Sequence, residues 1–184
     1  MTKNLLIFGA KKYECVIKEI AEEMKCFEKI YFLDSENEFT VETEFGHERL
    51  MREYSYAFVA IDDAELRLKW IRILEAECYR IAILVHPRAY IAPSAQLWKG
   101  TSVGAMAVVN AGSVVATGCI VSAGAVVDQS CFIGDGCYID SNAVVTAGSI
   151  VPAGTKVGCR EVFTRERSME LLGIAGEGQC IVNT

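Results

Sequence analysis

Histidine is scarce in this sequence, with two copies, His47 and His86, among 184 residues. No Cys-x-x-Cys pair occurs, and neither histidine stands beside a cysteine. Zinc sites in proteins are built from cysteine and histidine ligands at short, recognisable spacings. The sequence therefore argues against a metal site.

Basic residues are also few, because 18 Lys and Arg face 24 Asp and Glu, for a net charge of −6 and a pI near 5.0. No basic stripe is present that could neutralise phosphates, so nucleic acids and anionic membranes are poor partners. No apolar run reaches the length of about 18 residues that a membrane span needs. The short apolar segment near the N-terminus suits a buried strand better than a signal sequence. We expect a cytoplasmic protein that binds small molecules or other proteins.

What the sequence does contain is a six-residue repeat. An aliphatic residue returns at every sixth position. The residue four positions after it is small or compact, and the residue three positions after it is often glycine. A short fixed period of this kind is typical of a parallel β-helix. Three hexapeptides would close one coil of 18 residues, and residues 18 apart would stack in interior columns. The repeated aliphatic residues are Ile91, Leu97, Val103, Val109, Val115, Val121, Val127, Ile133, Ile139, Val145, Val151 and Val157.

Glycine suits the corner of each hexapeptide because it adopts positive φ without a Cβ penalty. Asn142 is the next most tolerant choice at this phase, whereas Met106 and Ser130 break the pattern. Three of the eight cysteines fall on the inward small-residue phase, where a thiol acts as a filler and needs no disulfide. These are Cys119, Cys131 and Cys137.

The first part of the chain alternates apolar strands with amphipathic helices, which favours a parallel α/β sheet whose ligand lies outside the carboxyl ends of the strands. The last strand of this sheet is predicted over residues 81–85, and the boundary with the β-helix near His86. The other predicted strands are 5–8, 30–33 and 57–61, with helices from about 16 to 24 and from 64 to 79. The predicted units are 1–86, an α/β domain; 87–163, the β-helix; and 164–184, a short helix and tail.

Five segments together resemble a known family: the runs LLIFGA, YFLD, AFVAIDDAELR and ILVHPRAYIAPSA, followed by the hexapeptides. They are similar to the hexapeptide-repeat acyltransferases of the sialic acid O-acetyltransferase and UDP-4-amino-sugar N-acetyltransferase type. The resemblance covers residues 3 to about 163. It implies a left-handed β-helix, a Rossmann-like N-terminal domain that holds a sugar nucleotide, a homotrimer, and acetyl-CoA in a cleft between adjacent β-helices.

The family's general base is a histidine in a segment of the form V-V-[DE]-H-D-C-x-I-G, which reads VVDQSCFIG here and places Gln129 at the histidine position. A neutral amide cannot take a proton, although it can donate a hydrogen bond. The neighbouring Asp128 is the candidate base, with Asp140 as a second, since a carboxylate buried against another subunit becomes more basic. The alternative is that both acids cap turns or lie in solvent.

The resemblance also places the cofactor and substrate sites. A second family histidine, close to the acetyl-CoA thioester, falls on Tyr138, and Ala147 and Gly148 fall in the same cleft. The family's glycine-rich turn is replaced by Gly9, Ala10, Lys11 and Lys12, whose lysines can pair with phosphates or simply lie in solvent. Asp34 and Asp63 complete the predicted substrate site.

Two functions fit these residues. The first is an acetyl-CoA-dependent acyltransferase that modifies an amino or hydroxyl group of a sugar or nucleotide sugar. The alternative is a catalytically inactive or repurposed trimeric binding scaffold of the same fold, since fold alone does not fix function.

Overall fold

The computed structural model describes residues 3–9, 13–34 and 53–173. The first of its two units is a parallel sheet with strand order β2-β1-β3-β4. Strand β1 is buried along its whole length, as expected for a parallel strand covered on both faces. Helix α1 packs on one face through Ile17 and Ile20, and helix α2 packs on the other through Ile71 and Leu74. The elements are β1 (Asn4–Gly9), α1 (Glu14–Glu23), β2 (Lys29–Asp34), β3 (Tyr56–Ala60), α2 (Ala64–Ala76) and β4 (Arg80–Ile81).

The sequence predicts one last strand in this unit, over residues 81–85. The structure has two short strands there instead, and they belong to different sheets. Strand β4 pairs with β3, whereas β5 (Leu84–Val85) pairs with Ser102–Val103 of the β-helix. Between them, the N–H of Ala82 donates to Ala57 O, and the carbonyl of Ala82 accepts from Gly100 N. The backbone therefore passes directly from one sheet into the other. The boundary near His86 stays a prediction, but β-helix pairing already begins at Leu84.

The second unit is a coil of two-residue strands that stack in three parallel sheets. We name them sheet A (β7-β10-β13-β16), sheet B (β5-β8-β11-β14-β17) and sheet C (β6-β9-β12-β15-β18). The strands are β6 (Tyr90–Ile91), β7 (Gln96–Leu97), β8 (Ser102–Val103), β9 (Val108–Val109), β10 (Val114–Val115), β11 (Ile120–Val121), β12 (Val126–Val127), β13 (Phe132–Ile133), β14 (Tyr138–Ile139), β15 (Val144–Val145), β16 (Ile150–Val151), β17 (Lys156–Val157) and β18 (Val162–Phe163).

The register between stacked strands confirms the predicted 18-residue coil. Val127 pairs with Val109 on one side and Val145 on the other, and Ile133 pairs with Val115 and Val151. From Val103 onward the repeated aliphatic side chains form one buried core, to which the stacking adds Phe163 at the end. Repeated short parallel strands in this register fit the expected left-handed β-helix.

The corners between strands hold one residue at positive φ in nearly every hexapeptide. Seven are glycines, as predicted, but Met106 (φ 59°), Ser130 (φ 56°), Asn142 (φ 57°) and Arg160 (φ 59°) adopt the same conformation. Met106 and Ser130 therefore break the sequence pattern without changing the backbone. The hydrogen bonds of the neighbouring coils impose the conformation, and the strain of a side chain at positive φ is the cost.

Helix α3 (Arg165–Leu171) follows the last coil and covers an open strand edge. Thr164 caps its first turn, and the Oγ atom of buried Ser168 accepts a hydrogen bond from Ile150 N at 2.9 Å. This hydroxyl takes the place of the next strand's carbonyl and so blocks further pairing there. The predicted tail lies outside the described residues from residue 174 onward.

Within the described ranges, no helix has the length and apolar character required to cross a bilayer. In the same ranges, no three His, Cys, Asp or Glu side chains come together as a metal ion would need. The predicted cytoplasmic location is not tested by these findings and stays a prediction.

Candidate functional site

Asp128 lies in the corner between β12 and β13, where sheet C turns into sheet A. Its Oδ1 atom accepts hydrogen bonds from Gln129 N (2.8 Å) and from Asn110 Nδ2 (3.2 Å) of the preceding coil. Among the described residues, none donates to Oδ2. The half-buried carboxylate is thus held by one oxygen, and the other can accept a proton.

The same corner brings together the predicted catalytic and acetyl-CoA residues of two coils. Gln129 is exposed, and its backbone carbonyl accepts a hydrogen bond from Gly148 N at 2.9 Å. Ala147 precedes Gly148 and lies directly beside Gln129 in the stack. A Cβ atom added to Gly148 would meet no heavy atom within 4 Å, so the surface beside this glycine is open.

A buried serine fixes the backbone of this corner from behind. Ser113 donates to Asp128 O at 2.5 Å and accepts from Cys131 N at 3.0 Å. The thiol of Cys131 donates in turn to Thr146 O at 3.2 Å, and burial raises its pKa. The corner is therefore a rigid support for Asp128 and Gln129.

Tyr138 does not join this group within one chain. It lies in β14 on the outer side of sheet B, and strand β13 with the following corner separates it from Asp128. Its ring contacts Lys156, whose Nζ lies 4.7 Å from the ring centroid. The same Nζ is 3.7 Å from Asp140 Oδ2. The predicted acetyl-CoA residues are thus divided between two faces of the β-helix.

Asp140, the second candidate base, caps its own turn. Its Oδ1 atom accepts a hydrogen bond from Ser141 N at 2.7 Å. Both of its oxygens therefore have partners, unlike those of Asp128.

Two of the predicted substrate residues, Gly9 and Asp34, lie at the carboxyl edge of the α/β sheet. Gly9 ends β1, and in the sheet register it is the neighbour of Asp34 in β2 and Ala60 in β3. Ala10, Lys11 and Lys12 lie outside the described residues, as does the side chain of Asp34. The edge itself, with Gly9 between two strand ends, is where open α/β sheets bind ligands.

Tyr13 follows this edge and connects it to the β-helix. Its hydroxyl oxygen lies 2.8 Å from Ser102 Oγ on the outer side of sheet B, the same face that carries Tyr138. Burial raises the pKa of the Tyr13 hydroxyl. The sheet edge that carries the predicted substrate residues therefore lies next to sheet B.

Asp63 is the N-cap of α2, and its Oδ1 accepts a hydrogen bond from Leu66 N at 2.8 Å. Capping by aspartate stabilises a helix without any ligand. A role for Asp63 in substrate binding stays a prediction.

The sequence analysis missed Arg67, which is 1% exposed and is the largest fully buried side chain among the described residues. Its guanidinium donates to four backbone carbonyls, two in the loop after β3 and two in the β-helix. Burial lowers its pKa. The available signal was its position four residues before Ile71 on the apolar face of α2, where arginine is unusual.

Comparison with known proteins gives a fold match and no sequence family. No protein-family model matches the chain, and no curated protein matches it. The acetyltransferase domain of PglB from Neisseria gonorrhoeae FA1090 is similar in structure, with a TM-score of 0.66 and 27% identity over 88% of this chain and 91% of that one. The same domain in complex with acetyl coenzyme A gives a TM-score of 0.66 and 23% identity over 89% of this chain and 94% of that one.

A third similar structure is a variant of perosamine N-acetyltransferase from Caulobacter crescentus in complex with CoA and GDP-perosamine. Its TM-score is 0.64 and its identity 21%, over 89% of this chain and 92% of that one. The chain therefore shares the fold of these acetyltransferases over nearly its whole length.

Proposed function

We propose that this chain is an acetyl-CoA-dependent acetyltransferase that modifies the amino group of a nucleotide-linked sugar. The observation that carries the proposal is the fold match, because it includes both units and extends to acetyltransferase structures with acetyl coenzyme A, or CoA and GDP-perosamine, bound. An amino acceptor is favoured over a hydroxyl because perosamine N-acetyltransferase is among the similar structures.

The acceptor is assigned to the α/β unit, which we interpret as Rossmann-like. Its strand order changes direction at β1, with β2 on one side and β3 on the other. Ligands of open α/β sheets bind outside the carboxyl ends of the strands at such a point. We assign nucleotide binding to Gly9, Ala10, Lys11 and Lys12, together with Asp34 and Asp63.

The acetyl donor is assigned to the corner that carries Ala147 and Gly148, and we infer that a homotrimer completes this site. Large apolar side chains remain exposed on the outer sides of sheets A and C, which favours their coverage by further copies of the chain. In such an assembly Tyr138 of one copy can approach Asp128 of the next, although the two are apart in one chain. The exposed side chains include Tyr90 (55%), Phe132 (41%), Ile150 (43%) and Val162 (53%).

In the proposed reaction, the neutral amine of the sugar attacks the thioester carbonyl carbon. A C–N bond forms, the C–S bond breaks, and the proton lost from nitrogen passes to Asp128 Oδ2 and then to the departing thiolate. Gln129 cannot accept this proton, but its side-chain amide can donate a hydrogen bond to the oxygen that becomes negatively charged. Asn110 Nδ2 and Gln129 N occupy Oδ1, so we assign Oδ2 as the oxygen that takes the proton.

The test is release of CoA by the purified protein with UDP- or GDP-linked amino sugars. Asp128→Asn should lower kcat by about 10²- to 10⁴-fold, the usual contribution of a general base. Asp140→Asn is the matched control, since Asp140 also caps its following backbone N–H. Equal activity of Asp128→Asn and wild type would rule out the carboxylate as base. Gln129→His, which restores a titratable group beside it, should raise the rate.

The scaffold alternative is favoured by one observation, the replacement of the family's histidine by Gln129. A thermal shift assay separates the two functions, because a ligand at about 100 times its Kd stabilises a protein by about 2.7 kcal/mol. If saturating acetyl-CoA leaves the Tm unchanged and no CoA is released with any acceptor, the chain is a binding scaffold.

A further inference from the structure

Helix α2 lies directly against the corners between sheets A and B, and one glycine of each coil permits this approach. A Cβ atom at Gly118 would lie 3.0 Å from both Leu68 Cδ2 and Ile71 Cδ1. At Gly136 it would lie 3.0 Å from Leu68 Cδ1, and at Gly100 2.6 Å from Ile71 Cδ1. The helix therefore rests on three successive coils, with no room for a larger residue between them.

The guanidinium of Arg67 occupies this contact and bonds to both units. Its Nε donates to Gly118 O at 2.7 Å, and its Nη2 donates to Gly136 O at 2.8 Å, one coil further along. On the other side Nη1 donates to Ile61 O at 2.6 Å and to Asp62 O at 2.8 Å. Only a planar group with several fixed donors can reach four carbonyls at once, which a lysine ammonium cannot do.

Loss of hydration makes this position costly for a cation. Arg67 lies in the first turns of α2, where the helix dipole opposes positive charge, and it is 1% exposed. Among the described residues, no carboxylate forms an ion pair with it. Apolar packing would avoid the cost of burying the charge. A guanidinium at this place therefore indicates a need for fixed geometry rather than for cohesion alone.

We propose that Arg67 is a positioning residue that holds the loop after β3 at a fixed distance from the β-helix. This proposal rests on the proposed function, in which that loop borders the acceptor site and the β-helix carries the acetyl donor. The guanidinium of Arg67 bonds to none of the residues assigned to the two sites, but it connects the loop 61–63 to the β-helix at Gly118 and Gly136. Small errors in the alignment of two substrates cost large factors in rate.

The test compares Arg67→Met with Arg67→Lys, and uses Arg72→Met as the control because Arg72 is an exposed arginine of the same helix. The first measurement is hydrogen exchange of residues 61–66, which requires no activity. We expect Arg67→Met to accelerate this exchange by about tenfold or more, Arg67→Lys to do so less, and Arg72→Met to match wild type.

The second measurement is steady-state kinetics with both substrates. Arg67→Met should raise the KM for the nucleotide sugar and lower kcat, each by about tenfold or more, with the KM for acetyl-CoA changed by less than about twofold. A purely structural role would lower the Tm and leave this split absent. If Arg67→Met does not fold, Arg67→Lys is measured in its place and should show the same split at smaller size.

Kinetics and exchange that match those of Arg72→Met would overturn the proposal. Wild type without any acetyl transfer would instead contradict the proposed function. In that case hydrogen exchange alone tests the positioning role of Arg67. Unchanged exchange in Arg67→Met would exclude that role, and faster exchange in residues 61–66 would support it for any ligand that the loop binds.

Discussion

The hydroxyl of Tyr13 and the hydroxyl of Ser102 share a hydrogen bond, with 2.8 Å between the two oxygens, across 89 residues of sequence. Ser102 is 1% exposed and lies on the outer side of sheet B, while Tyr13 immediately precedes α1. The bond is therefore a polar link in the contact between the α/β unit and the β-helix. It is separate from the bonds of Arg67, which reach the corners of the coil rather than its flat face.

Tyr13→Phe should destabilise the protein by about 1–3 kcal/mol, because the buried Ser102 hydroxyl loses its partner. Urea unfolding measures this, with the exposed Tyr31→Phe as control. Adding Ser102→Ala should recover part of the loss, since removal of both partners is much cheaper than removal of one. Strictly additive losses in the double variant would contradict a direct bond.

Ile133→Ala should destabilise the β-helix by about 2–5 kcal/mol, the usual cost of a cavity in a core that cannot collapse. Ile133 is fully buried between Val115 and Val151 of the neighbouring coils. Gln96→Ala, at an exposed position of the same sheet, should change stability by less than about 0.5 kcal/mol. Similar effects for both, measured by thermal unfolding, would mean that the coil register is wrong.

Met106→Gly should stabilise the protein by about 0.5–1 kcal/mol, because glycine removes the strain of a side chain at φ 59°. The gain is limited by the greater freedom that glycine gives the unfolded chain. Ala123→Gly is the matched control, one coil later and at a corner residue outside the positive-φ group, and should destabilise by about 0.5–1 kcal/mol. Destabilisation in both variants would show that Met106 is not strained.

Glu161 should contribute to stability at neutral pH and lose that contribution in acid. Its carboxylate pairs with Arg167 and accepts a hydrogen bond from Gly158 N at 2.6 Å. Both contacts lower the pKa of Glu161, and the contact with Arg167 has the larger effect. A carboxyl whose folded pKa is lowered stabilises above its unfolded pKa, about 4.3, and ceases to do so as the pH falls through the folded value.

Glu161→Gln should therefore lower stability at pH 7 by no more than about 1 kcal/mol, since the pair is partly exposed. The difference from wild type should shrink below about pH 4.3. The exposed Glu170→Gln serves as control in urea unfolding at several pH values. A difference that grows in acid would contradict the sign of the shift.

The interior of the β-helix was predictable because one geometric rule applies to every coil. Each aliphatic column follows from counting 18 residues, and the structure confirms it from Val103 to Val157. The same count separates Asp128 from Tyr138, since they fall in different phases of the coil. The family resemblance implies that both lie at a cleft between adjacent β-helices, and their separation within one chain is consistent with the proposed homotrimer.

The residues that join the two units were not predictable in the same way. An apolar run such as residues 81–85 does not reveal which sheet each of its strands will join. Arg67 reads in the sequence as one more charged residue of an amphipathic helix, and its carbonyl partners lie up to 69 residues away. Backbone carbonyls leave no mark in a sequence pattern, so contacts of this kind appear only in three dimensions.

The way α2 rests on Gly100, Gly118 and Gly136 limits how the length of this protein can change. Insertion of a whole 18-residue coil after residue 155 would keep every strand in register and leave the helix contact as it is. A change of any other size would turn interior columns outward or shift the corners. Relatives of this chain are therefore free to differ in length by whole coils at the C-terminal end, while the coils beneath α2 are fixed in number by the helix that spans them.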